Sequence, residues 1–414
     1  MLTESKANAA AASPAQPRLV VVGNGMAAMR TVEELLKLSP ERYQITVVSK
    51  EPHGSYNRIL LSPVLAGEKT FDQIVLNRPE WYAEHGINFK SGVSVQAVNR
   101  ARREVQLDNG EVLGYERLLI ATGSNPFIIP FPNHQHPAVI SFRDINDVDT
   151  MLTNAASCRN VIVIGGGLLG LEAANGLNKR GIKVTVVHDM GYLLNRQLDK
   201  EAADLLQGFL EQQGIEFVMN AKTDRIALHD DGSLHGLAFK DGTVLDGQLI
   251  VMAVGVRPNV QLAKDMGLQV DKAILVTDTL QTSDPRVYAV GECVQHRGAL
   301  FGLVAPLFDQ AKVCANHLAE MGIGMFVQKP TATTLKVTGV NLYSAGDFSG
   351  EGSDSVILRD TQQSTYKRLF FKDDKLVGAV LYGDTQDGMA YFELIQNASP
   401  VSAIRDQLMF GVAV

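Results

Sequence analysis

One pattern occurs twice in this chain and limits its fold more than any other feature. A short, wholly apolar run leads into a glycine cluster and then into an apolar-periodic stretch. The first copy reads Leu19-Val20-Val21-Val22, then Gly23-Asn24-Gly25-Met26-Ala27-Ala28, then Met29, Val32, Leu35 and Leu36. The second reads Val161-Ile162-Val163-Ile164, then Gly165-Gly166-Gly167-Leu168-Leu169-Gly170, then Leu171 to Lys179. Short all-apolar runs suit parallel strands buried on both faces, and the spacing that follows suits a helix. Each copy ends in a further strand-like run, Ile45-Thr46-Val47-Val48 and Val184-Thr185-Val186-Val187. A βαβ unit repeated 142 positions apart, from Gly23 to Gly165, predicts an α/β protein with two Rossmann-like dinucleotide-binding domains.

The glycine clusters carry the chemistry. Both fit G-x-G-x-x-G/A, with Ala28 in the third small position of the first and Gly170 in that of the second. The first glycine makes a tight turn and the second lets backbone approach a pyrophosphate. The third lets the helix pack on its strand, while the helix N-terminus attracts the phosphate charge. One such match is an ordinary glycine turn as readily as a phosphate loop. Two matches, each between a strand and a helix, make chance a poor account. An acidic residue about 20 positions on should meet the ribose hydroxyls. Glu51 is the candidate in the first unit, although Lys50 stands beside it and a solvated turn is the competing reading. In the second unit Asp189 suits a 2′-hydroxyl, whereas His188 or Arg196 suits a 2′-phosphate, so NADH and NADPH both stay open.

The remaining chain sets bounds. At 414 residues it should hold two to four domains. A net charge of −7 argues against a broad nucleic-acid footprint, and no run of about 18 apolar residues suggests a membrane span. Three cysteines (Cys158, Cys293, Cys314) without C-x-x-C spacing disfavour structural zinc or a disulfide scaffold and suit a reducing cytoplasm. No metal site is expected, and no G-x-S-x-G follows a strand. Residues 1–17, rich in alanine, read as a disordered lead-in without the marks of a signal peptide. Asp108-Asn109-Gly110 and Lys240-Asp241-Gly242 read as hairpin turns. From about Thr331 two β-like runs, Tyr366 to Phe371 and Leu376 to Tyr382, suggest a hairpin in a small α+β terminal domain.

Further motifs carry a resemblance. Ala121-Thr122-Gly123-Ser124-Asn125-Pro126 looks like the A-T-G-x-x-P crossover of two-dinucleotide flavoproteins, and Ala253-Val254-Gly255-Val256-Arg257-Pro258 like its second copy. Thr282-Ser283-Asp284-Pro285-Arg286-Val287-Tyr288-Ala289-Val290-Gly291-Glu292 resembles the strand that ends under the flavin ribityl chain. As an ordered set these resemble the FAD-dependent pyridine nucleotide-disulfide oxidoreductases. Tyr56-Asn57-Arg58, Asn195-Arg196-Gln197-Leu198-Asp199 and Phe301-Gly302-Leu303-Val304-Ala305-Pro306 are similar to the N-terminal flavoprotein part of NAD(P)H-dependent nitrite reductase large subunits. The terminal stretch, including Leu376-Val377-Gly378-Ala379-Val380-Leu381-Tyr382-Gly383-Asp384-Thr385, resembles the small domain shared with rubredoxin reductases.

The resemblance implies an FAD-binding domain over 18–125 and 260–328, an NAD(P)-binding domain over 126–259 and a C-terminal domain over 329–414. It places Gly23, Gly25, Met26, Ala27, Ala28, Glu51, Arg58, Val95, Ala121, Thr122, Gly123, Gly291, Glu292 and Val304 at FAD. It places Gly165, Gly167, Leu168, Leu169, Gly170, Glu172, His188, Asp189 and Gly255 at NAD(P)H, with Glu172 approaching the nicotinamide. A helix starting near Pro306 would set its positive end toward the flavin. The resemblance further implies a flavoprotein oxidoreductase passing electrons from NAD(P)H through FAD to an iron–sulfur, rubredoxin-like or nitrate/nitrite reductase partner. The cysteine pair of disulfide reductases is absent from Tyr56 to Pro63, and Pro63 stands where ferredoxin reductases often carry lysine. Cysteine-rich iron–sulfur and sirohaem segments have no counterpart before Val414, so the terminal acceptor is expected on another chain. Rubredoxin or ferredoxin reduction in another pathway, or a redox-sensing role with little turnover, are the alternatives.

Overall fold

The computed structural model describes residues 16–411 apart from 323, 330, 331 and 338. All but the last two residues of the expected disordered lead-in, 1–17, lie outside the described residues. The chain divides into two compact units. One comprises residues up to Ser55, Asn77–Gly123 and Pro258–Phe326; the other comprises Tyr56–Leu76, Ser124–Arg257 and Val327 onward.

In the first unit the strand Arg18–Val22 is the middle member of a five-stranded sheet. Its order is Val287–Ala289, Arg117–Ile120, Arg18–Val22, Gln44–Ser49, Asn88–Ser91, every neighbouring pair parallel. Leu19 to Val22 are buried on both faces, which is why the run shows no alternation. The helix Met26–Leu38 buries Ala27, Ala28, Met29, Val32 and Leu35 and packs on the helix Val304–Leu318. The same unit carries a three-stranded antiparallel sheet, Val95–Asn99, Glu104–Leu107 and Val112–Gly114, and a second three-stranded sheet of Ile274–Val276, Val294–His296 and Ala299–Leu300. The turn between Glu104–Leu107 and Val112–Gly114 is the expected Asp108-Asn109-Gly110, with Gly110 at φ +87°.

The second unit repeats the plan. Its parallel sheet runs Val139–Ser141, Leu249–Met252, Asn160–Ile164, Lys183–Val187, Glu216–Val218. The strand before the glycine cluster is again central, and the strand after the helix again lies beside it. The expected turn at Lys240-Asp241-Gly242 joins Leu234–Phe239 to Val244–Asp246, with the Asp241 carboxylate accepting the Thr243 N–H at 3.0 Å. The same unit carries an antiparallel sheet ordered Ala332–Val337, Val340–Gly346, Lys375–Tyr382, Thr365–Lys372, Asp354–Asp360, with the helix Gly388–Asn397 packed on it. The predicted hairpin is there. Asp373 and Asp374, at φ +48° and +56°, form the two-residue turn, since mirror-image turns match the twist of paired strands. Asp199 caps the helix Lys200–Gln212 through the Ala202 N–H and also accepts the Tyr366 hydroxyl at 2.5 Å and Arg368 at 3.1 Å. One carboxylate thus ties this sheet to the dinucleotide-type domain of its own unit.

Two stretches group differently from the expected three-domain boundaries, and the first is the C-terminal stretch, expected as a domain of its own over 329–414, which falls within the second unit. Residues 56–76, expected inside the 18–125 segment, associate with the second unit. Arg180 donates to the carbonyls of Leu65 and Val64 at 2.9 and 3.3 Å, Lys179 pairs with Glu68 at 2.5 Å, and Leu65 packs over Gly176. These contacts come from the second glycine-loop helix, so adjacency in sequence yields to packing. Among the described residues no helix is long and apolar enough to cross a membrane, and no His, Cys, Asp or Glu cluster could hold a metal ion.

Candidate functional site

Both glycine clusters stand at the carboxyl ends of their central strands and share one geometry. Gly23 has φ +107°, and a Cβ there would lie 2.3 Å from the Ala121 carbonyl oxygen. Gly165 has φ +119°, and its Cβ would lie 2.4 Å from the Ala253 carbonyl oxygen. Any side chain at either position meets rigid backbone, so the first glycine is required sterically. The second glycine differs. Gly25 and Gly167 are the N-caps of the helices Met26–Leu38 and Leu168–Lys179, in extended conformation and without a side-chain cap. Within 4 Å of a Cβ at either, nothing is found among the described residues. Each helix therefore starts on uncapped N–H groups beside open space, an arrangement suited to an anion. The third small position is tight again: a Cβ on Gly170 would lie 1.9 Å from the Gly165 carbonyl oxygen, and Ala28 is wholly buried. The residues present fit two dinucleotide pyrophosphates.

Around the first loop, Ala121-Thr122-Gly123 continues the strand Arg117–Ile120, and the Thr122 hydroxyl donates to the Asn259 carbonyl at 2.7 Å. Gly291, at φ +96°, follows the edge strand and leads to half-buried Glu292. Glu51 lies in the turn after Gln44–Ser49, where the ribose candidate was expected. Val95 opens the antiparallel sheet and packs on this unit's core. Val304 begins the helix Val304–Leu318, with Pro306 in its first turn. Asn24, the middle residue of Gly23-Asn24-Gly25, was not singled out from sequence. Its side-chain oxygen accepts the Tyr82 hydroxyl at 2.7 Å, and Tyr82 accepts the Ser55 N–H at 3.2 Å. Burial pushes the Tyr82 phenol up to about 12, so it remains a donor to the loop at neutral pH.

Around the second loop, His188 lies beneath the glycines rather than in front of them. It is buried, and its Nδ1 accepts the Gly166 N–H at 3.2 Å. Burial lowers its pKa, with Asp189 acting in the opposite direction. A neutral ring that supports the loop offers no cation to a 2′-phosphate. Asp189 is 78% exposed and Arg196 is exposed. Gly255, at φ +109°, accepts the Phe127 N–H at 2.9 Å in the second crossover. Leu168 and Leu169 open the helix, half-buried.

Glu172 sits in the second turn of that helix. Its carboxylate accepts the Ser62 hydroxyl at 2.7 Å, and burial pushes its pKa above the usual 4.5 while Ser62 opposes the shift. Ser62 belongs to the short helix Leu61–Leu65, in the segment Tyr56–Pro63 that carries neither cysteine nor lysine. Arg58, three residues upstream of that helix, places its guanidinium 4.8 Å from the Tyr56 ring centre and donates to the Arg143 carbonyl at 3.3 Å. All three cysteines are free, and burial raises the pKa of each. Cys293 is fully buried, with its Sγ 3.3 Å from the Val290 carbonyl oxygen, the behaviour of a small hydrophobe rather than a nucleophile.

Two nucleotide-type loops on duplicated parallel sheets, with a half-buried carboxyl on the second helix, define a two-dinucleotide oxidoreductase. Residues 17–316 match the model of the family described as pyridine nucleotide-disulphide oxidoreductase, and the chain belongs to that family. Its cofactors are FAD and NAD(P)H. Residues 331–399 match the rubredoxin NAD+ reductase C-terminal domain. The chain is 44% identical over 386 residues to a nitrite reductase [NAD(P)H] of Bacillus subtilis (strain 168), covering 93% of this chain and 48% of that protein. It is 40% identical to the assimilatory nitrate reductase electron transfer subunit of the same organism, covering 95% and 51%. The chain thus spans about half the length of these two relatives. Among solved structures it is similar to NADH:rubredoxin oxidoreductase from Clostridium acetobutylicum, with TM-score 0.80, 25% identity, and 95% and 100% of the two chains covered.

Two outcomes follow. Gly25→Val should fold, because its side chain enters open space, yet should lose FAD; Gly23→Val should fail to fold. Flavin absorbance and circular dichroism of the purified variants check this, and a folded Gly25→Val with full flavin content would overturn the loop assignment. The second concerns pH. A carboxyl whose folded pKa is raised leaves the fold at full stability below 4.5 and weakens it as pH rises through the folded value. Glu172→Gln keeps a partner for Ser62 and removes the titration. Its melting temperature should exceed that of the wild-type apoprotein at pH 8, with the gap closing by pH 4.

Proposed function

We propose that this chain is the electron-input component of nitrate or nitrite assimilation, accepting reducing equivalents from NAD(P)H and passing them to a protein iron centre without a cysteine relay. The bound FAD and NAD(P)H would supply the redox chemistry, a hydride from the nicotinamide and electrons onward to the acceptor. The chain's own residues bind and orient. The uncapped N–H groups beside Gly25 and Gly167 hold the two pyrophosphates, and Ala121 to Gly123 with Gly291 and Glu292 line the flavin side. Glu172, held by Ser62, is the positioning carboxyl on the nicotinamide side. The observation that carries the reading is the pair of matching loops together with a Tyr56–Pro63 segment that contains neither cysteine nor lysine. Likeness to the two Bacillus relatives favours assimilation over the runner-up, a rubredoxin or ferredoxin reductase, which the C-terminal domain supports. A redox-sensing role with little turnover is the third reading. The acceptor is a redox centre of iron–sulfur, rubredoxin or nitrate/nitrite reductase type, with no part for nucleic acid or membrane. Three free thiols of raised pKa suit the cytoplasm.

A Cys158→Ser, Cys293→Ser, Cys314→Ser triple variant should retain flavin and reduce an iron–sulfur or rubredoxin acceptor at near the wild-type rate. A hundredfold loss with flavin retained, about 2.7 kcal/mol in the barrier, would overturn the cysteine-free route. NADH should reduce the flavin faster than NADPH, because the exposed Asp189 carboxylate repels a 2′-phosphate and His188 offers no compensating charge. Stopped-flow flavin reduction compares the two, and a tenfold preference for NADPH would assign the site to Arg196 instead.

A further inference from the structure

Among the described residues of the first unit, two buried carboxamides are half used: Asn77, whose oxygen lacks a partner, and Gln310, whose amino group does. Gln310, on the helix Val304–Leu318, is wholly buried, and its Oε1 accepts the Gly291 N–H at 2.8 Å. Its Nε2 has no hydrogen-bond partner among the described residues. The amide's orientation is settled by this contact, because only the oxygen can accept an N–H. Gly291 is itself pressed against the first turn of the helix Met26–Leu38: a Cβ on it would lie 3.3 Å from the Ala27 Cβ. Its φ of +96° is one that L side chains rarely adopt. The carboxamide therefore stands behind the Gly291-Glu292 turn, close to the uncapped helix start that follows Gly25.

A buried N–H pair without an acceptor is costly, and native proteins leave such a group unpaired only rarely. Apolar residues would pack equally well between these two helices, and a glutamine needed only to accept from Gly291 would still bury its amide unpaired. A dinucleotide brings acceptors to this place: phosphate oxygens, which only accept, and polyol hydroxyls, which accept as well as donate. We propose that Gln310 is a positioning residue for the flavin dinucleotide. Its carbonyl holds Gly291, and its amide donates to an oxygen of the bound FAD, directly or through one trapped water. The inference rests on the flavin reading of the Gly23 loop.

The two halves of the side chain can be separated. Gln310→Glu keeps an acceptor for Gly291 and, when ionised, lacks the donor; Gln310→Met lacks both. Apoprotein of each is titrated with FAD by flavin fluorescence at pH 8, alongside thermal melts of the same apoproteins. Both variants should bind FAD at least tenfold more weakly than wild type at pH 8, about 1.4 kcal/mol; repeated at pH 6, the loss in Gln310→Glu should shrink as its buried carboxyl regains a proton to donate, whereas the loss in Gln310→Met should stay the same. Wild-type affinity in Gln310→Glu at pH 8, or losses with the same pH dependence in the two variants, would overturn the proposal. Should neither variant fold, apoprotein labelled with ¹⁵N-glutamine is titrated with FAD. A buried side-chain amide pair that shifts and gains exchange protection supports the proposal, and an unchanged spectrum on saturation overturns it. Wild type that fails to bind FAD would overturn the flavin reading itself, a separable result.

Discussion

A carbonyl oxygen close to where a side chain would begin is the constraint from which both candidate sites follow. The Ala121 carbonyl approaches Gly23, and the Ala253 carbonyl approaches Gly165, each nearer than any Cβ could tolerate. That approach lets the crossover segment lie against the glycine turn. The turn then drops the helix start directly at the end of its strand, so the unpaired N–H groups of the first turn open on space instead of on side chains. The partial positive charge of a helix start is modest, about 0.3–1 kcal/mol for an exposed anion. Its use here depends on that steric clearance. Two loops built independently in sequence reach similar φ values, +107° and +119°, and the same kind of contact because the constraint is local.

Around this shared frame the two loops are supported differently. Behind the first, Asn24 is tied to Tyr82 and Gly291 to Gln310. Behind the second, His188 takes the Gly166 N–H and fills the space that a Cβ on Gly166 would need. Each support is a polar group taken out of water, where leaving a partner unpaired costs about 1–3 kcal/mol. Such groups define one arrangement of a glycine-rich turn that would otherwise have many. The second helix carries Glu172 as well, and its hydrogen bond to Ser62 depends on the segment 56–76 packing against Gly176 and Arg180.

The duplicated strand-loop-helix pattern, both hairpin turns and the terminal hairpin could be read directly, because each depends on residues within a few positions of one another. Glycine at a positive φ, an apolar run buried on both faces and a two-residue Asp-Asp turn are decided by sterics and burial along a short stretch. Glu51 and Asp189 stand just past the ends of their strands, as their place in the sequence implies. For His188 the sequence could not show that the ring turns inward, since that depends on the packing of the loop above it.

The sequence by itself determined an α/β chain with two phosphate-type loops, the absence of a cysteine pair beside the flavin motif, and a separate terminal sheet. Tertiary structure alone decided which distant groups serve those loops. Ser62 reaches Glu172 across 110 positions and Tyr82 reaches Asn24 across 58. Segment 56–76 joins the second unit although its flanks belong to the first. The physical reason is range: backbone sterics act between neighbours in the chain, whereas the partner of a buried polar group is whatever folding brings within hydrogen-bond distance.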